Sequence, residues 1–66
     1  RDPFDALSAR ERAVASLVQR GLRNKEVASE LGLTEGTVKV HLHKVFDKLG
    51  IRGRTELILL AQERGD

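Results

Sequence analysis

Apolar residues recur every three or four positions along most of this chain, as they do on the buried face of an amphipathic helix. The first such face carries Val14, Leu17 and Val18. Before it, Ser8 and Glu11 have the spacing of a capping box, in which each side chain can bond the other residue's backbone N–H. Gly21 follows the run as a C-terminal cap would. The pattern therefore predicts a first helix at about 9–20.

A second, short helix is predicted at about 24–31, with Asn24 as its N-cap and Gly32 after its end. Its buried side is expected to carry Val27, Ala28 and Leu31. The small side chain of Ala28 lets a neighbouring helix approach closely, and Gly32 can adopt the positive φ that a sharp turn requires.

The third helix, at about 35–49, is predicted to start from Thr34 as its cap and to end at Gly50. Gly53 can act as a weaker cap for a fourth helix at about 54–64. No stretch of useful length alternates between apolar and polar residues, so no sheet is predicted. The fold class is all-α: a compact four-helix domain around a central helix-turn-helix.

The 66 residues suffice for one domain, predicted at 7–66, and residues 1–6 have the character of a linker remnant. Without cysteine, the chain has neither disulfides nor thiolate metal ligands. No apolar run is as long as a membrane span, and no signal peptide is visible. We therefore expect a cytoplasmic protein with no membrane partner.

Basic residues are concentrated in the middle of the chain, although the net charge is only +2. Residues 20–54 contain eight basic and four acidic side chains, whereas the rest of the chain contains four basic and six acidic ones. This distribution suggests a surface that faces a polyanion. Charge alone fits an ordinary solvated surface equally well.

The third helix has an unusual outer face. Its buried stripe is expected to carry Val38, Leu42, Val45, Phe46 and Leu49. The opposite side displays Gly36, Val40, His43, Lys44 and Asp47, flanked by Lys39, Thr37 and Lys48. A merely solvated helix more often shows alternating Glu and Lys, whereas the first turns here are small, apolar or cationic. The face suits a helix inserted into a major groove, where Val40 can contact a thymine methyl group.

No enzymatic or metal site emerges from the sequence. His41 and His43 diverge by about 160° on a helix and cannot share one ion, so His41 is expected to be a hydrogen-bonded structural histidine. No serine has a base at a suggestive spacing, and there is no glycine-rich phosphate loop. The prediction is a non-enzyme without cofactor or metal.

Taken together, these residues resemble the LuxR/NarL/GerE-type helix-turn-helix family, and most closely the C-terminal output domains of NarL-type response regulators. The resemblance runs from Leu7 to about Ala61. The segments that carry it are Leu7-Ser8-x-Arg10-Glu11, Gly21-Leu22-x-Asn24-Lys25-Glu26-Val27-Ala28, Leu31-Gly32-Leu33-Thr34, Thr37-Val38-Lys39-Val40-His41, Lys48-Leu49-Gly50 and Arg54-Thr55-Glu56.

The resemblance implies a domain that binds double-stranded DNA as a dimer, with the helix at 35–49 in the major groove. It implies that Lys39 and Val40 reach base edges, and His43 on the same face is expected to join them. Phosphate contacts are expected from Asn24, Lys25, Thr37, Lys44, Lys48 and Arg54, although Arg54 can instead pair with a neighbour. The last helix is expected to form a weak homodimer through Ile58 and Leu59.

Three positions depart from the family pattern. Arg23 stands where Ser or Thr is frequent, Gly53 where Ser is frequent, and His43 where a close subgroup has Lys. The charge of a histidine depends on pH near neutrality. The DNA sequence that relatives recognise therefore does not transfer to this chain.

The predicted role is the output end of a bacterial transcription regulator, with an absent N-terminal regulatory domain, most simply a two-component receiver, and RNA polymerase as a further partner. One alternative is a promoter-binding module like region four of a sigma factor, which the Lys39-Val40-His41 segment and the short fourth helix argue against. The other is a protein-interaction module that uses Val40 and Leu59 as an apolar surface.

Overall fold

The computed structural model describes residues 2–63, which form four α-helices and one short 3-10 helix. The 3-10 helix spans Pro3–Ala6, and the α-helices are α1 (Ala9–Gln19), α2 (Asn24–Leu31), α3 (Glu35–Leu49) and α4 (Arg54–Glu63). No strand occurs between residues 2 and 63. The all-α prediction is confirmed, and the four predicted helices are present. The first ends one residue before its expected bound, and the expected end of the fourth, residue 64, lies outside the described residues.

Two of the predicted helix starts form as the sequence indicates. At α1, Glu11 N donates to Ser8 Oγ at 3.1 Å and Ser8 N donates to Glu11 Oε1 at 2.9 Å, which completes the capping box. At α3, Thr34 Oγ1 accepts from the backbone N–H of Thr37 at 3.1 Å. The α2–α3 turn is closed by Gly32, whose φ of 67° lies in the left-handed region that favours glycine.

The start of α2 differs from the prediction, because Arg23 and not Asn24 is the N-cap. Asn24 is the first helical residue, and its side chain makes no capping bond. The Glu26 carboxylate accepts from Arg23 N at 2.7 Å instead, which satisfies one of the free N–H groups at this end. The side chain of Asn24 is therefore available for another partner.

The segment expected to be a linker remnant, residues 1–6, contains the 3-10 helix, and Phe4 is only 6% exposed. Asp2 caps this helix by accepting from Phe4 N at 2.9 Å, and Arg12 Nη2 donates to the Phe4 carbonyl at 2.9 Å. Four residues are too few to show helical periodicity, so the sequence pattern missed this element. From Pro3 onward the segment belongs to the folded body.

α3 lies at the centre of the packing, where α1, α2 and the 3-10 helix contact it, and α4 packs against α1. The buried core consists of Phe4, Leu7, Val14, Ala15, Leu17, Val18, Val27, Ala28, Val38, Leu42, Val45 and Leu57. Three members of the predicted α3 stripe are thus fully buried, while Phe46 and Leu49 pack at its margin. This packing fixes the rotation of α3 about its axis and so determines which side chains face outward.

No helix among residues 2–63 is both long enough and apolar enough to cross a lipid bilayer.

Candidate nucleic-acid interface

The outer face of α3 presents the three side chains predicted to read bases. Lys39, Val40 and His43 are all exposed, and Val40 is 54% exposed. Val40 and His43 are one turn apart, and Lys39 lies on the flank of the same face. An apolar side chain is thereby held in water between a lysine and a histidine, on a helix whose other side is fixed in the core.

Two threonines fix the geometry of the first turn of α3. Thr34 Oγ1 donates to Thr37 Oγ1 at 3.0 Å, while the backbone N–H of Thr37 donates back to Thr34 Oγ1. With its oxygen accepting from Thr34, the hydroxyl proton of Thr37 is left to donate outward. Because Thr37 is exposed, its hydroxyl group is placed to bond an anionic acceptor such as a phosphate oxygen.

Lys25 near the start of α2 and Lys44 on α3 are exposed cations. Within residues 2–63, no hydrogen bond or ion pair engages either ammonium group. Both positive charges are therefore available to an external anion.

Lys48 and Arg54, which were also expected to contact phosphate, are engaged inside the molecule. Lys48 Nζ lies 2.7 Å from Glu11 Oε1 on α1. Arg54 Nη2 donates to Asn24 Oδ1 at 2.9 Å and to the Leu22 carbonyl at 3.1 Å. Both cations keep further N–H donors, so a phosphate contact from either residue would be made beside these bonds or in place of them.

Glu11 is the one buried charged residue in the described part of the chain. The hydrogen bond from Lys48, assisted by the backbone N–H of Ser8, lowers the pKa of Glu11 from 4.5 to about 2. Glu11 therefore links the start of α1 to the end of α3 as a carboxylate.

Acid should weaken this link in a defined pH range. Because folding lowers the pKa of Glu11, its carboxylate stabilises the fold fully above about pH 4.5, and this stabilisation is lost as the pH falls towards about 2. We expect the difference in thermal midpoint between the wild type and Glu11→Gln to shrink across that range. Glu30→Gln, which removes an exposed carboxylate from α2, is the matched control. A difference that stays constant from pH 6 to pH 2 would contradict the assignment.

The prediction for His41 is wrong in one respect. The residue is half-buried at the edge of the core, as expected, but its Nδ1 is buried without a hydrogen-bond partner. Nothing in its sequence neighbourhood signals this, because the position of the ring nitrogen depends on how α3 packs.

The outer face of α4 carries the residues predicted for a homodimer. Leu59 is 48% exposed and Ile58 is half-buried, whereas Leu57, on the side of α4 that faces the core, is fully buried. A second chain is needed to test this interface, so it stays a prediction.

The family model described as bacterial regulatory proteins, luxR family, matches residues 5–61. The chain is 45% identical over 65 residues to the nitrate/nitrite response regulator protein NarP of Escherichia coli (strain K12). This alignment covers 97% of the chain and 30% of that protein. It is 47% identical over 62 residues to nodulation protein W of Bradyrhizobium diazoefficiens, covering 94% of the chain and 27% of that protein.

The fold is also similar to a low-resolution structure of the response regulator StyR. The TM-score is 0.85 at 44% sequence identity, over 92% of this chain and 31% of that one. The chain thus spans about 30% of the length of these three relatives.

Proposed function

We propose that this chain, which belongs to the luxR family of bacterial regulatory proteins, binds double-stranded DNA sequence-specifically as the output domain of a transcriptional regulator. The outer face of α3 is the observation that carries this proposal. It holds Val40 in solvent with Lys39 and His43 beside it, while the opposite side is buried. A helix of this kind fits a major groove and there meets both polar base edges and thymine methyl groups.

Specificity comes from three side chains of α3. Lys39 donates to guanine O6 or N7, Val40 contacts a thymine methyl group, and His43 donates to or accepts from a base edge one turn further along. Because the imidazole of His43 can accept as well as donate a hydrogen bond, the preferred sequence need not match that of a relative with lysine at this position.

Affinity and orientation come from contacts with the phosphate backbone. Lys25 and Lys44 supply free cations, and Thr37 supplies a hydroxyl donor. The ammonium group of Lys48, 2.7 Å from Glu11 Oε1, contributes through the N–H donors that Glu11 leaves free.

In the complete protein, two copies occupy half-sites about 10 base pairs apart, held by a weak contact of Ile58 and Leu59 across α4. An N-terminal regulatory domain, a two-component receiver in the simplest case, controls this contact, and RNA polymerase is a further partner. Several matched relatives are response regulators, which supports this arrangement. The protein acts in the cytoplasm by binding, with no catalytic step of its own.

Substitution of Lys39 should separate base reading from phosphate binding. Lys39→Ala should weaken binding to a specific site by about 1–3 kcal/mol and relax the preference for the base that Lys39 contacts. Lys25→Ala should instead weaken binding to all sequences alike and flatten the salt dependence. Fluorescence anisotropy titrations with specific and scrambled duplexes, at several salt concentrations, measure both effects. If Lys39→Ala left both the affinity and the base preference unchanged, Lys39 would not be a base-contacting residue.

The same titrations distinguish DNA binding from the remaining alternative, a protein-interaction module. DNA binding through several phosphates should fall by orders of magnitude between 50 and 200 mM salt, whereas an apolar protein-interaction surface responds little. The family match gives the sigma-factor alternative no support.

A further inference from the structure

Arg54 joins two parts of the chain that are distant in sequence. It is the first residue of α4, and its Nη2 bonds the Leu22 carbonyl, 32 residues away, and Asn24 Oδ1, 30 residues away. Both Arg54 and Asn24 are half-buried. The start of α4 is thereby tied to the start of α2, next to the proposed phosphate-binding residue Lys25.

The chemistry of this contact fixes the orientation of the Asn24 amide. A guanidinium group has only donors, so the amide oxygen must face Arg54 and the NH₂ group must face away. In the described residues no partner engages Asn24 Nδ2, and it is not among the buried unpartnered atoms, so it is accessible to solvent. The terminal torsion of asparagine has two roughly equivalent orientations, and without Arg54 the amide can present its oxygen instead.

We propose that Arg54 is a positioning residue for DNA binding, which acts through Asn24 and not by its own contact with phosphate. By holding the amide oxygen, Arg54 directs the NH₂ donor of Asn24 at the phosphate backbone and keeps an acceptor away from that anion. This inference rests on the proposed function, since it assigns the donor to the DNA backbone.

A double-mutant cycle tests the dependence on Asn24. Asn24→Ala and Arg54→Ala should each weaken DNA binding by about 3- to 10-fold, the equivalent of one hydrogen bond. The double variant should bind no more weakly than the weaker single variant, because both changes remove the same contact. Thermal unfolding of each variant ensures that titrations are made on folded protein.

Salt dependence shows whether the guanidinium itself meets a phosphate. Each cation that contacts a phosphate adds about 0.9 to the slope of log affinity against log salt. Arg52→Ala is the matched control, because Arg52 is exposed two residues before α4 and no bond engages its side chain within residues 2–63. We expect Arg54→Ala to have the same slope of log affinity against log salt as Arg52→Ala, and to bind DNA more weakly than Arg52→Ala does.

Asn24→Asp provides a variant that keeps the link to Arg54 intact. The carboxylate still accepts from Arg54, now as an ion pair, and an acidic residue in the first turn suits the helix dipole. It should fold at least as well as the wild type and bind DNA at least about 10-fold more weakly, because an oxygen replaces the NH₂ group. Ser29→Asp, an exposed position later in α2, controls for the added charge.

Additive losses in the cycle, or a slope lower by about one in Arg54→Ala alone, would overturn the inference and make Arg54 a direct phosphate contact. Equal losses in Asn24→Asp and Ser29→Asp would also overturn it, since Asn24 would then not face the DNA. A wild-type domain without salt-sensitive binding would instead refute the proposed function, which separates the two failures.

Discussion

Val40→Glu should fold like the wild type and lose at least about 100-fold in DNA affinity, or about 3 kcal/mol. The side chain is 54% exposed in the middle of α3, and glutamate is a better helix former than valine. Stability should therefore be unchanged or slightly higher. In the complex, a carboxylate would enter the groove in place of an apolar contact and meet the surrounding negative potential.

Two controls separate the effect of the position from the effect of the added negative charge. Val40→Ala removes the apolar contact without adding charge and should cost less than Val40→Glu. Ser16→Glu adds the same charge at an exposed position of α1, outside the helix-turn-helix, and should bind nearly as well as the wild type. Electrophoretic mobility shifts with a specific duplex compare the three variants. If Val40→Glu bound as well as Ser16→Glu, α3 would not be the helix that enters the groove.

Leu57→Ala should lower the free energy of unfolding by about 2–5 kcal/mol. Leu57 is fully buried, and it is the one residue of α4 in the buried part of the core among residues 2–63. Its truncation leaves a cavity where α4 meets α1, which also carries the hydrogen bond from Gln19 Nε2 to the Leu57 carbonyl at 3.0 Å. A domain of this length has only about 3–10 kcal/mol of stability in total.

Leu59→Ala is the matched control for this prediction, because it is the same chemical change two residues further along the same helix. Leu59 is 48% exposed, so its truncation should change stability by less than about 0.5 kcal/mol. Urea unfolding followed by circular dichroism gives both values. Equal losses for the two leucines would mean that α4 is not oriented as described, with Leu57 inward and Leu59 outward.

The faces of α3 could be predicted from the sequence because they depend on local periodicity. Val38, Leu42 and Val45 repeat at helical spacing, and that repeat alone determines that Val40 points the other way. The caps at Ser8 and Thr34 are equally local, since donor and acceptor are three residues apart.

Contacts between distant residues could not be predicted in this way. Lys48 bonds Glu11 across 37 positions, and Arg54 bonds Asn24 across 30. Locally these residues are ordinary surface cations or first-turn residues of a helix, and only the packing of the four helices brings the partners together. The bonds that Lys48 and Arg54 make within the molecule therefore have no counterpart in the local sequence pattern.

Selection of bound duplexes from a random-sequence pool over several rounds, followed by sequencing, tests sequence-specific recognition by this domain most directly. We expect enrichment of a short motif, with copies about 10 base pairs apart where two domains bind together. The motif should be lost in a parallel selection with Val40→Glu. Absence of any retained DNA at low salt, or an identical motif from Val40→Glu, would contradict recognition through α3.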